Sequence, residues 1–111
     1  MLVFAITGLS NTGKTTLIVE LIEHFVREGK SVGAIKHTHH ELNDEDRGDT
    51  ARFQAAGANP VMLVGDVDPD DLPSRFTTDV LIIEGFKNRG PWMRFEAPLT
   101  LQEVLDRIGR P

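Results

Sequence analysis

The sequence predicts an α/β domain: a mostly parallel central sheet flanked by helices, in three layers. Three observations point there. Short unbroken apolar runs such as "LVFAI" (residues 2–6) and "DVLII" (79–83) suit strands buried on both faces. Segments with apolar residues at helical spacing lie between such runs. Strand and helix then alternate along the chain, the order that builds parallel sheets through crossovers. The 111 residues suit one domain, 1–111.

The elements follow in order. After the first strand come Thr7 and Gly8, and from Lys14 the pattern turns helical. Leu17, Ile18, Leu21, Ile22, Phe25 and Val26 form the apolar stripe, with Glu20, Glu23, Arg27 and Glu28 largely off it. Gly29 is a natural C-terminal cap. "SVGAI" (31–35) reads as the second strand. Residues 37–48, polar and acidic, read as a loop, and Asp49 to Ala56 as a short helix closed by Gly57. "PVMLV" (60–64) is a third strand, with Pro60 at its start, where proline is tolerated. A turn-rich connector, "GDVDPDDLPS", leads to the fourth strand (79–83), and "WMRFE" (92–96) suits an edge strand. Thr100 and Glu103 fit a capping box opening a last helix through Leu101, Val104, Leu105 and Ile108. Strand C-termini of such a sheet share one edge, where ligands bind. The loops at Gly8, His37, Gly65 and Glu84 are therefore expected to converge.

Composition excludes several functions. The formal net charge of −5 argues against a nucleic-acid binder. With no cysteine there is no disulfide, thiolate metal site or cysteine nucleophile, which fits a reducing compartment. No apolar run approaches the roughly 18 residues of a membrane span. The first apolar run lacks a basic region before it, against a signal peptide. A cytoplasmic protein is the expectation, with neither nucleic acid nor membrane as partner.

"GLSNTGKT" (8–15) matches G-x-x-x-x-G-K-[ST] between a predicted strand and a predicted helix, the setting this motif requires. Gly8, Leu9, Ser10, Asn11, Thr12 and Gly13 would curl so that backbone N–H groups point inward, and Asn11 tolerates positive φ. The helix N-terminus adds partial positive charge. Lys14 reaches toward the β- and γ-phosphates, and Thr15 offers a hydroxyl to Mg²⁺. The fold expected is thus the three-layer P-loop nucleoside-triphosphatase fold. "DVLIIEG" carries an acid, Glu84, to the same sheet edge just before Gly85, which marks Glu84 for the Mg²⁺ shell through water. Asp79, at the far end of that strand, reads as a strand-start residue. Asp49 either caps the short helix or senses phosphate and metal from a mobile segment. Glu41, Asp44, Glu45 and Asp46 read as a solvated loop face, lacking the spacing of a calcium loop.

"KHTHH" (36–40) admits three readings. His37, His39 and His40 suit a transition metal. They also suit loop anchors. Third, with Lys36 they line the nucleotide or substrate edge, where their charge and N–H groups suit a second phosphorylated ligand. His24, beside the stripe of the first helix, reads as a packing residue.

"GLSNTGKTTL", "VGAIKHTHH", "GDTARFQAAGA" and "DVLIIEGFK" occur here in the order seen in the molybdopterin-guanine dinucleotide biosynthesis protein B family. The chain resembles that family nearly continuously over residues 1–87. The P-loop is widely shared, but "KHTHH" together with "EGFK" is specific. The resemblance implies a P-loop GTP-binding protein of the class that contains signal-recognition and metal-insertion GTPases. It implies an accessory role in attaching a guanine nucleotide to molybdopterin, with GTP and Mg²⁺ as cofactors and weak hydrolysis. It implies as partners a molybdopterin guanylyltransferase, which performs the transfer itself, molybdopterin-transfer enzymes, and a second copy of the chain. Carried onto this sequence, Gly8, Gly13, Lys14, Thr15 and Thr16 hold phosphate and Mg²⁺. Asp49 and Glu84 complete the metal environment. Lys36, His37, His39, Arg52, Gly85 and Lys87 line the adjoining surface. Members of that family are usually longer, with an inserted segment where only "GDVDPDDLPSRFTT" stands here. No Asn/Thr-Lys-x-Asp signature is present, so guanine preference rests on the resemblance. The alternatives are a nickel- or zinc-delivery GTPase using His37–His40, a small-molecule kinase, and an adaptor without hydrolysis.

Overall fold

Residues Leu2–Thr7 form the first strand, β1, next to the middle of a five-stranded sheet in the computed structural model, which describes residues 1–9, 12–38, 43–65, 67–86 and 90–109. The remaining elements are α1 (Lys14–Arg27), β2 (Val32–His37), α2 (Asp44–Ala56), β3 (Val61–Val64), β4 (Val80–Glu84), β5 (Met93–Glu96) and α3 (Leu101–Ile108). Two 3-10 turns, Pro69–Asp71 and Pro73–Arg75, break the connector between β3 and β4. The strand order is β3-β2-β4-β1-β5, and every neighbouring pair is parallel.

That order decides which connections share a face. The chain moves toward the β3 edge from β1 to β2 and from β2 to β3, and back from β3 to β4 and from β4 to β5. Crossovers of one hand put the first two on one face and the other two opposite. The core agrees. Phe4, Ile6, Val32, Ala34, Val80 and Ile82 pack with Leu21 and Phe25 of α1, Phe53 of α2 and Val104 of α3. Ala5, Ile35, Leu81 and Ile83 pack instead with Leu72, Phe76, Phe86 and Trp92 of the two returning connections. All three helices therefore flank one face, and the 3-10 segment with its apolar residues forms the third layer.

Most elements lie where the sequence puts them. On α1 the buried residues are Leu17, Ile18, Leu21, Ile22 and Phe25, whereas Val26 is 40% exposed. Gly29 (φ 81°) follows the helix end and donates its N–H to the Val26 carbonyl at 2.9 Å. The main correction concerns α2. It starts five residues before Asp49, at Asp44, and runs through residues expected to be loop. Asn43 caps it: its side chain accepts from the Asp46 N–H, and the Asp46 carboxylate accepts from the Asn43 N–H. Asp44, Glu45 and Asp46 fall in the first turn, where negative charge suits the helix dipole. The acidic run is thus a helix start. Asp46 is buried, against the expectation of a solvated loop face, while Asp44 is solvated. Glu41 lies outside the described residues.

Candidate functional site

The loop after β1 needs its glycines for stated reasons. Gly8 has φ 139°, and a Cβ there would lie 3.1 Å from the Ala97 carbonyl oxygen. Gly13 has φ 82° and sits at the N-cap of α1, so no side chain closes over the first turn from that position. The N–H groups of a helix's first turn lack partners inside the helix and favour an anion. Lys14 Nζ donates to the Gly8 carbonyl at 2.8 Å and lies 3.9 Å from Glu84 Oε1. Thr12 Oγ1 donates to the Leu9 carbonyl at 2.6 Å, tying the loop to itself.

Side chains of β2 and β4 alternate between the two faces, so Lys36 and Glu84 both point to the helix face. They are register partners across the parallel pair. Lys36 Nζ donates to Glu84 Oε1 at 3.0 Å and to Oε2 at 3.1 Å. It also lies 2.9 Å from Asp49 Oδ2 and 3.9 Å from Asp46 Oδ1, both on α2. Burial alone would lower the Lys36 pKa, but the hydrogen bond to Asp49 and the charge of Glu84 outweigh it and hold the group above its ordinary value. Lys36 is therefore charged, and one ammonium joins a strand carboxylate to a helix carboxylate. Asp49 stands in the second turn of α2, on neither a cap nor a loop.

These groups line a cavity of about 450 Å³. Of the residues expected from sequence, it brings together Gly13, Lys14, Thr15, Thr16, Lys36, His37, Asp49, Arg52 and Glu84. Gly8, Leu9, Thr12 and Gly85 lie outside its wall: Gly8 holds Lys14, Leu9 is 73% exposed, and Gly85 packs on His37. Ser10, Asn11, His39, His40 and Lys87 lie outside the described residues. The cavity also takes in Thr38, Asn43, Glu45 and Asp46, which the sequence reading did not place there. Asn43 followed by Asp46 was the available signal, since the pair is a helix-start pattern.

His37 touches the cavity wall, but its ring lies on the other face of the sheet. Its ring stacks on Phe86, with centroids 3.9 Å apart and planes 18° from parallel, and its Nδ1 accepts from the Phe86 N–H at 3.4 Å. The turn after Glu84 is tight: Gly85 has φ 112° and Phe86 φ 53°. A Cβ on Gly85 would lie 2.7 Å from the His37 Cβ. His37 thus braces the turn that follows Glu84, which is the loop-anchor reading. His24 packs edge-on against Phe25 and lies 3.3 Å from Glu28, in keeping with a packing role.

The donors facing the cavity fit a hard divalent cation. Thr15, Asp49 and Glu84 all offer oxygen, and the ammonium held between Glu84 and Asp49 marks a place that favours positive charge. Among the described residues no group of three His, Cys, Asp or Glu is placed to cage a metal. Mg²⁺ takes one or two carboxylates together with substrate phosphates and water. Among the described residues no helix is long and apolar enough to cross a membrane.

A strand, a glycine loop carrying G-x-x-x-x-G-K-T and a helix, at the C-terminal edge of a parallel sheet, define the class: a P-loop α/β domain. The chain belongs to the molybdopterin guanine dinucleotide synthesis protein B (MobB) family, whose sequence profile it matches over residues 3–91. It is 36% identical over 98 residues to a molybdopterin-guanine dinucleotide biosynthesis adapter protein of Haemophilus influenzae, covering 74% of this chain and 55% of that protein. It is 36% identical over 100 residues to a putative adapter of the same description from Methanocaldococcus jannaschii, covering 78% and 42%. The matched region spans about half the length of these curated relatives. A crystal structure of a MobB protein homolog from Bacillus stearothermophilus aligns with a TM-score of 0.48 at 21% identity, over 99% of this chain and 72% of that one.

Proposed function

We propose that this chain is the nucleotide-binding module of an adapter for molybdopterin guanine dinucleotide formation: it binds GTP with Mg²⁺ and serves a partner guanylyltransferase that attaches GMP to molybdopterin. Beyond family membership, one observation carries the reading. Lys14, Thr15, Asp49 and Glu84 line a single cavity at the first turn of α1. The loop N–H groups and the α1 N-terminus bind phosphate oxygens, and Lys14 leaves the Gly8 carbonyl to join them. Thr15 gives the metal its hydroxyl, with Asp49 and Glu84 as the carboxylates of its surroundings. Mg²⁺, when bound, supplies charge neutralisation at the phosphates. Arg52, on the same wall, adds positive charge toward an anionic ligand.

Hydrolysis in this reading is slow. A general base must be free to accept a proton from water. Glu84 and Asp49 are both occupied, by the Lys36 ammonium or by the metal when it is bound, so neither is a free carboxylate for water. The homodimer and the guanylyltransferase partner are part of the same proposal and rest on the family. The test is calorimetric titration with non-hydrolysable GTP and ATP analogues, each with and without Mg²⁺. Mg²⁺-dependent binding with a guanine preference is expected. Equal affinity for both, or a preference for adenine, would detach the chain from the guanine role.

A further inference from the structure

We infer that Lys36 is a built-in counter-ion of the cation site, which a divalent metal must displace before it can engage Glu84 and Asp49. The inference rests on the reading of those two carboxylates as the metal's surroundings. Its test uses metal alone, so it fails or stands independently of nucleotide preference.

The argument starts from burial. Glu84 and Asp49 keep only 7% and 16% of their side-chain surface exposed, and Asp46 keeps 6%. Carboxylates crowded into one poorly hydrated place repel one another and require a cation. Lys36 supplies it. Its ammonium touches both oxygens of Glu84 and one of Asp49, and Asp46 lies just beyond contact. The position is imposed by the sheet, because Lys36 and Glu84 are register partners. An ammonium and a hard divalent ion seek the same oxygens, so the two compete for one place. Lys14 also lies near Glu84, at 3.9 Å, but its hydrogen bond goes to the Gly8 carbonyl. Lys14 therefore does not fill this role.

The exchange gives the site two states. Without metal, Lys36 ties β4 to α2 and keeps the carboxylates in place. With metal, its ammonium is freed within a cavity that also holds Lys14 and Arg52. Lys36 is thus a positioning residue, and metal entry carries the cost of its release.

The experiment is Mn²⁺ binding without nucleotide, read from loss of the free-ion electron paramagnetic resonance signal. It compares the wild type with Lys36→Met, Lys36→Arg and the double variant Lys36→Met/Glu84→Gln. Removing the competitor should tighten Mn²⁺ binding by about tenfold or more in Lys36→Met. Lys36→Arg, which keeps the charge, should stay near the wild type, and the double variant should lose the gain. Unchanged or weaker Mn²⁺ binding by folded Lys36→Met would overturn the inference. So would a gain that survives Glu84→Gln. Should Lys36→Met be unfolded without metal, circular dichroism decides: recovery of the fold on adding millimolar Mn²⁺ supports the exchange, and no recovery overturns it.

Discussion

Lys36 and Glu84 face each other across β2 and β4, and one ammonium spans both carboxylate oxygens at 3.0 and 3.1 Å. Both side chains are less than 10% exposed, so solvent screens the pair little. Removing Lys36 leaves Glu84 and Asp49 buried without their shared ammonium, at a cost of about 3 kcal/mol, whereas removing Glu84 leaves Lys36 its contact with Asp49 and costs less. Lys36→Met should lower stability by an amount of that order in urea unfolding, and Glu84→Gln by less. The double variant should lose clearly less than the two losses added together, with a coupling of about 1 to 3 kcal/mol. Additive losses would mean that the pair contributes no stability.

The phosphate loop yields a different kind of prediction. Lys14 donates to a carbonyl of its own loop, an interaction that many donors, water included, can replace. Lys14→Ala should leave the urea midpoint nearly unchanged while lowering affinity for a non-hydrolysable GTP analogue by about 100-fold or more, the scale of a lost phosphate contact in a preorganised site. Thr15→Ala should instead weaken the benefit of Mg²⁺ more than binding without it. Calorimetry of both variants checks this, and wild-type affinity in Lys14→Ala would remove the phosphate reading of the loop.

Asn43→Ala tests the helix start that the sequence reading missed. Asn43 caps α2 through Asp46, and losing such a cap costs about 1 kcal/mol. The same change should loosen Asp46, 3.9 Å from Lys36, and fray the turn before Asp49. Hydrogen exchange at the amides of the first turn of α2 should rise well above its rate in the wild type. An unchanged rate would show that the cap does not hold this turn.

The reason for that miss is physical. Asp44 and Asp46 have weak helix propensity and the stretch has no apolar periodicity, so "ELNDEDRG" resembles a solvated loop. What makes it a helix is capping plus tertiary contact: Phe53 enters the core and Asp49 meets Lys36. By contrast, β1, α1 and β4 were legible because apolar runs and helical spacing are local signals. The alternation in β2 also holds the fact that Lys36 and His37 leave the strand on opposite faces. Which partner waits on each face depends on strand order, and strand order is set by contacts between distant segments. Hence Glu84 was found as an acid at the sheet edge, but its pairing with Lys36, and the stacking of His37 on Phe86, required the structure.

Gly85 provides a test of that stacked turn. Its φ of 112° suits glycine, and an added Cβ would press on the His37 Cβ at 2.7 Å. The contact is with the base of the buried His37 side chain, not with the free end of a flexible one, so it does not yield easily. Gly85→Ala should destabilise the fold by about 1 to 3 kcal/mol and shift the His37 ring resonances as the stack with Phe86 opens. Wild-type stability with unshifted His37 resonances would mean that the turn after Glu84 tolerates a side chain.

Ser31 and Asp79 close the opposite end of the sheet and predict its acid behaviour. The Ser31 N–H donates to Asp79 Oδ2 at 2.9 Å, and the Asp79 N–H donates to Ser31 Oγ at 2.8 Å. Hydrogen bonds from the Ser31 backbone and then from its hydroxyl hold the Asp79 carboxyl below its ordinary pKa of 3.8. A carboxyl whose folded pKa is lowered gives stability that is present above the unfolded value, and loses it as pH falls through the folded one. Asp79→Asn should therefore melt below the wild type near neutral pH. The gap should narrow only below pH 3.8, as the wild-type group takes up its proton. Melting curves of the two proteins from neutral to strongly acidic buffer measure it. A gap that persists undiminished through acid would assign the effect to the shape of the side chain and not to its charge.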